Sequence, residues 1–168
     1  MADERTPSKQ RRIEELIFVK IPHVVSGVLF VAAVGINIVN VVGRYVFSIP
    51  VFWAEEVLVF IVIWAVFLLA GSITYRGGHL AMDLLYAGFS PLWKRIINIV
   101  ITLSLIGCCL FAVAQSWKVI GLHMRNGGLT AATEIPLVYP HSAILFGFLF
   151  MAAAAIVRIR AYITGKFD

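Results

Sequence analysis

The sequence predicts an all-α integral membrane protein with four transmembrane helices, and three observations predict it. Val24–Gly43, Val57–Tyr75, Ile96–Trp117 and Ile135–Val157 run 20, 19, 22 and 23 residues without Asp, Glu, Lys or Arg. A helix crossing the roughly 30 Å hydrocarbon core needs about 20 mainly apolar residues, and a helix satisfies its own backbone hydrogen bonds where there is no water. The composition agrees, with 61% hydrophobic residues, 14% charged residues and a mean hydropathy of +0.93, whereas a soluble domain carries about 25% charged residues. Finally, the charges are sorted. Eleven of the fourteen Lys and Arg lie in the N-terminal segment (Arg5, Lys9, Arg11, Arg12, Lys20), the second loop (Arg76, Lys94, Arg95) and the C-terminal segment (Arg158, Arg160, Lys166). Only Arg44, Lys118 and Arg125 fall in the first and third loops. The positive-inside rule therefore puts the N and C termini and the second loop in the cytoplasm.

These features also exclude classes. The net charge of +5 is distributed as a topology signal and as contacts for anionic lipid, not as a nucleic-acid surface. Loops of about 10 to 20 residues leave no room for a separate catalytic domain. The first apolar run is longer than a signal peptide's h-region of about 7–15 residues and lacks a small-x-small cleavage site, so it reads as a retained span. Cys108 and Cys109 are adjacent in mid-span, poor geometry for a disulfide, and read as packing residues.

The chain is read as one membrane domain over residues 1–168, with a cytoplasmic tail and surface helix over 1–21 and spans at about 23–43, 54–75, 92–117 and 139–158. Ile13–Ile21 alternates charge with apolar bulk, as a short surface helix does, and Pro22 opens the first span. Gly27, Gly35 and Gly43 recur every eight residues and are read as a close-approach face. Asn37 and Asn40, three apart, call for a hydrogen-bonding partner, and Gly147 in the fourth span is a further packing position.

Ser48–Ile49–Pro50 is a tight turn, Phe52 and Trp53 form an interfacial aromatic belt, and Glu55 and Glu56 open the second span at the positive end of its dipole. Past Tyr75–Arg76–Gly77–Gly78, residues 79–89 read as a short amphipathic interfacial segment between spans 2 and 3. Ser90–Pro91 is an N-cap and first-turn pair for the third span. Asn126–Gly127–Gly128 signals a turn. Pro136 and Pro140 are expected to delay the fourth helix until near His141, and Ala143, Gly147 and Ala152–Ala155 give it a small-residue face.

The chemistry-bearing residues are sparse. No catalytic, cofactor-binding or metal-binding motif is present. His79 and Asp83, four apart, share a helix face but are short of ligands for a metal. Haem iron takes axial ligands that face each other in a bundle, and all four histidines lie near span ends, so a small membrane-anchor or cytochrome subunit of a redox complex is an alternative without a motif. An autonomous four-helix exporter is another, but it needs a titratable acid deep in a span, and no carboxylate lies inside an apolar run. What remains is boundary charge. Arg44, Glu55 and Glu56 on the outer side, and Arg76, His79 and Asp83 on the inner side, either fix hairpin geometry or meet a partner.

The stretch from Asn40 to Asp83 reads N-x-x-x-R-Y-x-F, then W-x-E-E, then an apolar span ending in R-x-G-H-x-x-x-D, carried by Asn40, Arg44, Tyr45, Phe47, Trp53, Glu55, Glu56, Arg76, Gly78, His79 and Asp83. It resembles the small membrane subunit of tripartite ATP-independent periplasmic (TRAP) transporters over about 45 residues, while residues 96–168 support the likeness only through their spans. The resemblance implies a bacterial inner-membrane, multi-pass scaffold that is not an enzyme and has no cofactor. It implies that sodium coupling resides in a large multi-span permease partner. A periplasmic substrate-binding protein would deliver organic acids such as C4-dicarboxylates, sialic acid or other sugar and keto acids. Arg44, Trp53, Glu55, Glu56, Arg76, His79 and Asp83 would then serve partner contact or hairpin geometry, with lipid as the remaining partner.

Overall fold

A computed structural model describes residues 9–49, 51–78 and 90–164. His79, Asp83 and the amphipathic segment expected over 79–89 lie outside the described residues. The elements are α1 (Lys9–Glu15), a π-helical turn (Leu16–Lys20), α2 (Ile21–Tyr45), α3 (Ala54–Tyr75), α4 (Pro91–Asn126), α5 (Val138–Val157) and α6 (Ile159–Thr164). Among the described residues, four helices are long and apolar enough to cross a membrane.

The N-terminal helix does not stand apart from the first span, as the sequence reading has it. It runs through the π turn into α2, with the N–H of Ile21 donating to the Leu16 carbonyl five residues back. Pro22 has no N–H to offer the carbonyl four residues behind it and its ring crowds that turn; the wider π turn immediately before it relieves both demands. The span boundaries also move. α4 continues nine residues past Trp117 to Asn126, where Gly127 adopts φ 62° and ends it with an N–H to the His123 carbonyl. Ser90 holds the N-cap place of α4 in extended conformation, without a side-chain cap bond. α5 begins at Val138, not near His141, because Pro140 falls in its first turn, where a missing N–H leaves no intrahelical bond unmade.

Three extensive helix interfaces build the fold: α2 on α3, α3 on α5, and α5 on α4. The spans therefore stand in an open row, α2–α3–α5–α4, rather than in a closed bundle. Of the most apolar stretch, 39% is buried in α5 but 17% in each end helix, which places the core around α5. Lipid tails are as apolar as leucine, so close packing, not burial, must hold helices together in a bilayer. The contact faces are accordingly small: Ala54, Ala65, Gly71 and Ser72 in α3, and Ala143, Gly147, Ala152, Ala154 and Ala155 in α5 are all buried.

Between α3 and α5 the fit is reciprocal. A Cβ at Gly71 would overlap the Phe150 ring, and one at Gly147 would overlap Phe67. Because 67 pairs with 147 and 71 with 150, these two helices run parallel. α2 joins α3 through Ser26, whose hydroxyl donates to the Ala65 carbonyl at 3.2 Å. α6 turns back beneath the row, and its fully buried Tyr162 donates to the Thr74 carbonyl at 2.5 Å.

The glycine stripe expected on α2 is not the face it uses within this chain. A Cβ at Gly27 or Gly35 would meet nothing within 4 Å; Pro22, Ser26, Ala33 and Asn40 are the buried positions. Eight residues at 3.6 per turn overshoot two full turns by about 80°, so Gly27, Gly35 and Gly43 spiral around the helix instead of sharing a face.

Candidate functional site

The boundary charges resolve into two clusters, at opposite ends of the row. At the end away from the termini, α2 and α3 are joined by a tight connection that folds back on α2. The Ile49 N–H donates to the Gly43 carbonyl at 2.9 Å, and Ser48 sits at φ 56°. A side chain at Gly43 would press on the Ile49 carbonyl oxygen at 2.9 Å. Buried Asn40 accepts from the Val51 N–H through Oδ1 at 3.2 Å. The partner that Asn40 finds is thus a loop backbone, not a neighbouring helix. Asn37 is exposed on α2.

Arg44 Nη2 donates to Glu55 Oε1 at 2.7 Å, closing the connection with an ion pair. Its side chains are 48% and 68% exposed, so the pair orients the hairpin more than it stabilises it. Trp53, half exposed, precedes α3 beside exposed Phe52, the placement of an interfacial aromatic pair.

Glu56 does something the sequence did not suggest. Neighbouring residues on a helix point about 100° apart, so Glu56 faces away from Arg44 and toward the α4–α5 loop. It accepts from the Ala132 N–H at 2.8 Å, the Thr133 N–H at 3.0 Å and the Thr133 hydroxyl at 2.5 Å. That loop is itself braced: the Thr130 N–H donates to the Ile135 carbonyl at 2.9 Å and the Leu137 N–H to the Gly128 carbonyl at 3.0 Å. Thr130 Oγ1 accepts from the Ile135 N–H at 3.1 Å and lies 2.7 Å from Thr133 Oγ1. Close by, the His123 and His141 rings stack 4.9 Å apart, tying the end of α4 to the start of α5. The two acids therefore have separate jobs. Glu55 closes the first hairpin, and Glu56 clasps the loop of the second.

At the end carrying the termini, exposed Arg76 follows α3 directly, its N–H donating to the Ser72 carbonyl at 3.2 Å. Tyr75 stacks on Phe18 at 5.2 Å, and Phe18 on Phe150 at 5.0 Å. The Arg158 guanidinium lies 4.9 Å from the Tyr75 ring centre, and the Tyr75 hydroxyl donates to Glu14 at 3.3 Å. Among the described residues no three His, Cys, Asp or Glu side chains come together as metal ligands.

This four-span row with charge confined to its boundaries is matched, over residues 20–165, by the family model of the DctQ component of tripartite ATP-independent periplasmic transporters. The chain belongs to the DctQ family. No curated protein matches it. The DctQ match reaches through α4 and α5, where the sequence carries no sharp motif, so the likeness is not confined to the charged stretch of α2 and α3. It makes the chain a component of a three-part transporter in the bacterial inner membrane, which implies a permease and a binding protein as partners. A four-span count is shared by exporters and redox anchors; DctQ membership separates the transporter reading from both. Of the positions behind the resemblance, Asn40, Arg44 and Glu55 converge on the first hairpin, and Glu56 reaches the second. The residues that receive Glu56, Ala132 and Thr133, carry no signal beyond the hydroxyl spacing Thr130-x-x-Thr133.

Proposed function

We propose that this chain is the small scaffold subunit of a TRAP-type secondary transporter for organic acids. It braces the large sodium-coupled permease laterally and presents its outer end near the docking place of the periplasmic substrate-binding protein. The observation that carries the reading is the open row. α2 is packed on one side only, and its opposite face, formed by Val24, Val28, Val31, Gly35, Ile38 and Val42, is exposed from end to end. These positions alternate in steps of four and three, the spacing of a helix-packing seam, with glycine near the middle where a backbone can come close.

No carboxylate stands inside an apolar run, so the chain offers no ion-coupling group of its own. The two hairpins, locked by Glu55 and Glu56, give the outer end a fixed shape on which a soluble protein can land. Gly35→Leu tests the brace. It is expected not to destabilise the isolated chain, since a side chain there meets nothing in this fold and leucine is the better helix former, and to reduce co-purification with the permease. Undiminished co-purification refutes the assignment of this face.

A further inference from the structure

At the end carrying the termini, the starts and finishes of three spans enclose a cavity of about 380 Å³ lined by Arg11, Glu15, Val19, Lys20, Tyr75, Arg76 and Arg158. Four of these seven side chains are cationic and one is acidic. Lys20 precedes α2, Tyr75 ends α3 with Arg76 directly after it, and Arg158 directly follows α5, so the cavity lies at the level where helices leave the hydrocarbon. Its wall is fixed: Tyr75 is buried in the Phe18–Phe150 stack and carries the Arg158 guanidinium over its face.

We propose that this cavity is a binding site for the headgroup of an anionic glycerophospholipid. The recognised group is the phosphodiester, which arginine meets with a planar fork of donors and lysine with a point charge. Three features select a lipid over a soluble anion. The cavity sits at headgroup depth; Val19 and the Tyr75 ring supply apolar wall beside the cations; and the positive-inside rule assigns this end to the leaflet bearing anionic lipid. None of this depends on the scaffold role. It requires only that the chain spans a membrane.

The test is native mass spectrometry of the full chain in a neutral detergent, titrated separately with phosphatidylglycerol, phosphatidylethanolamine and inorganic phosphate. One saturable phosphatidylglycerol adduct is expected, outcompeting phosphatidylethanolamine. Lys20→Gln with Arg76→Gln, both exposed and outside the packed core, is expected to weaken it about 30-fold, the effect of two headgroup-level cations at ~1 kcal/mol each. Lys118→Gln with Arg125→Gln, which removes the same charge at the opposite end, leaves it unchanged. Equal binding of the two lipids would show that net negative charge is not what the cavity selects, equal loss in both double variants would reduce the effect to general surface attraction, and either result overturns the site. Inorganic phosphate that displaces phosphatidylglycerol at equal concentration assigns the cavity to a soluble anion and overturns the lipid.

Discussion

Gly71→Ala probes the contact on which the row depends, that between α3 and α5. The added methyl carbon would come within overlap distance of Cδ1 and Cε1 of Phe150 and press on its Cγ. Phe150 cannot swing aside freely, because its ring is stacked on Phe18, which is stacked on Tyr75. Overpacking of this kind costs about 1–3 kcal/mol, against a gain of about 1 kcal/mol from replacing glycine by alanine in a helix. The substitution alone is therefore expected to destabilise. In a Phe150→Ala background all three contacted atoms are gone, the clash vanishes, and only the helix-propensity gain remains. Gly71→Ala should then stabilise by up to about 1 kcal/mol. The sign reverses, and the coupling between the two sites is about 1–3 kcal/mol, measurable by a double-mutant cycle on reversible unfolding of the full chain in mixed detergent–SDS micelles, followed by far-ultraviolet circular dichroism. If Gly71→Ala has the same sign and size in both backgrounds, glycine 71 is not a seat for Phe150 and the packing argument for the row fails.

Two further outcomes follow from the hydrogen bonding. Tyr162→Phe removes the buried donor to the Thr74 carbonyl, which also accepts from the Gly77 N–H at 3.0 Å; because that second bond remains, the loss is expected near the low end for a buried hydrogen bond, about 1 kcal/mol, read as a lowered unfolding temperature, and an unchanged midpoint would mean α6 does not anchor the row. Glu56→Ala is expected to speed amide hydrogen exchange at Ala132 and Thr133 and to lower uptake by the assembled transporter, whereas Glu55→Ala leaves those two amides protected; indistinguishable exchange in the two variants contradicts the division of labour between the acids.

Much of this arrangement was readable in one dimension because it rests on solvent preference. Spans declare themselves wherever about 20 residues avoid charge, since each backbone group and each charge in hydrocarbon must be satisfied or excluded. The second span, expected at 54–75, is observed as Ala54–Tyr75. Arg44 with Glu55 was legible too, since a cation ending one helix and an acid opening the next are joined by a short turn. Boundaries governed by local geometry were less so: α4 outruns its apolar stretch to Asn126, and Pro140 fits inside α5 instead of delaying it.

The amino-acid order alone thus settled how many times the chain crosses, where, and where its charges gather, because those follow from transfer between water and lipid, residue by residue. Which helix touches which was decided only in three dimensions. Apolar faces are equivalent to lipid and to one another, so neighbours are chosen by steric fit. Phe67 on Gly147, Phe150 on Gly71 and Glu56 on the Thr133 loop join residues 77 to 80 positions apart, pairings that no local period encodes. The same fit, leaving Gly35 bare and Gly71 filled, set aside a face of α2 that spacing by itself had misplaced.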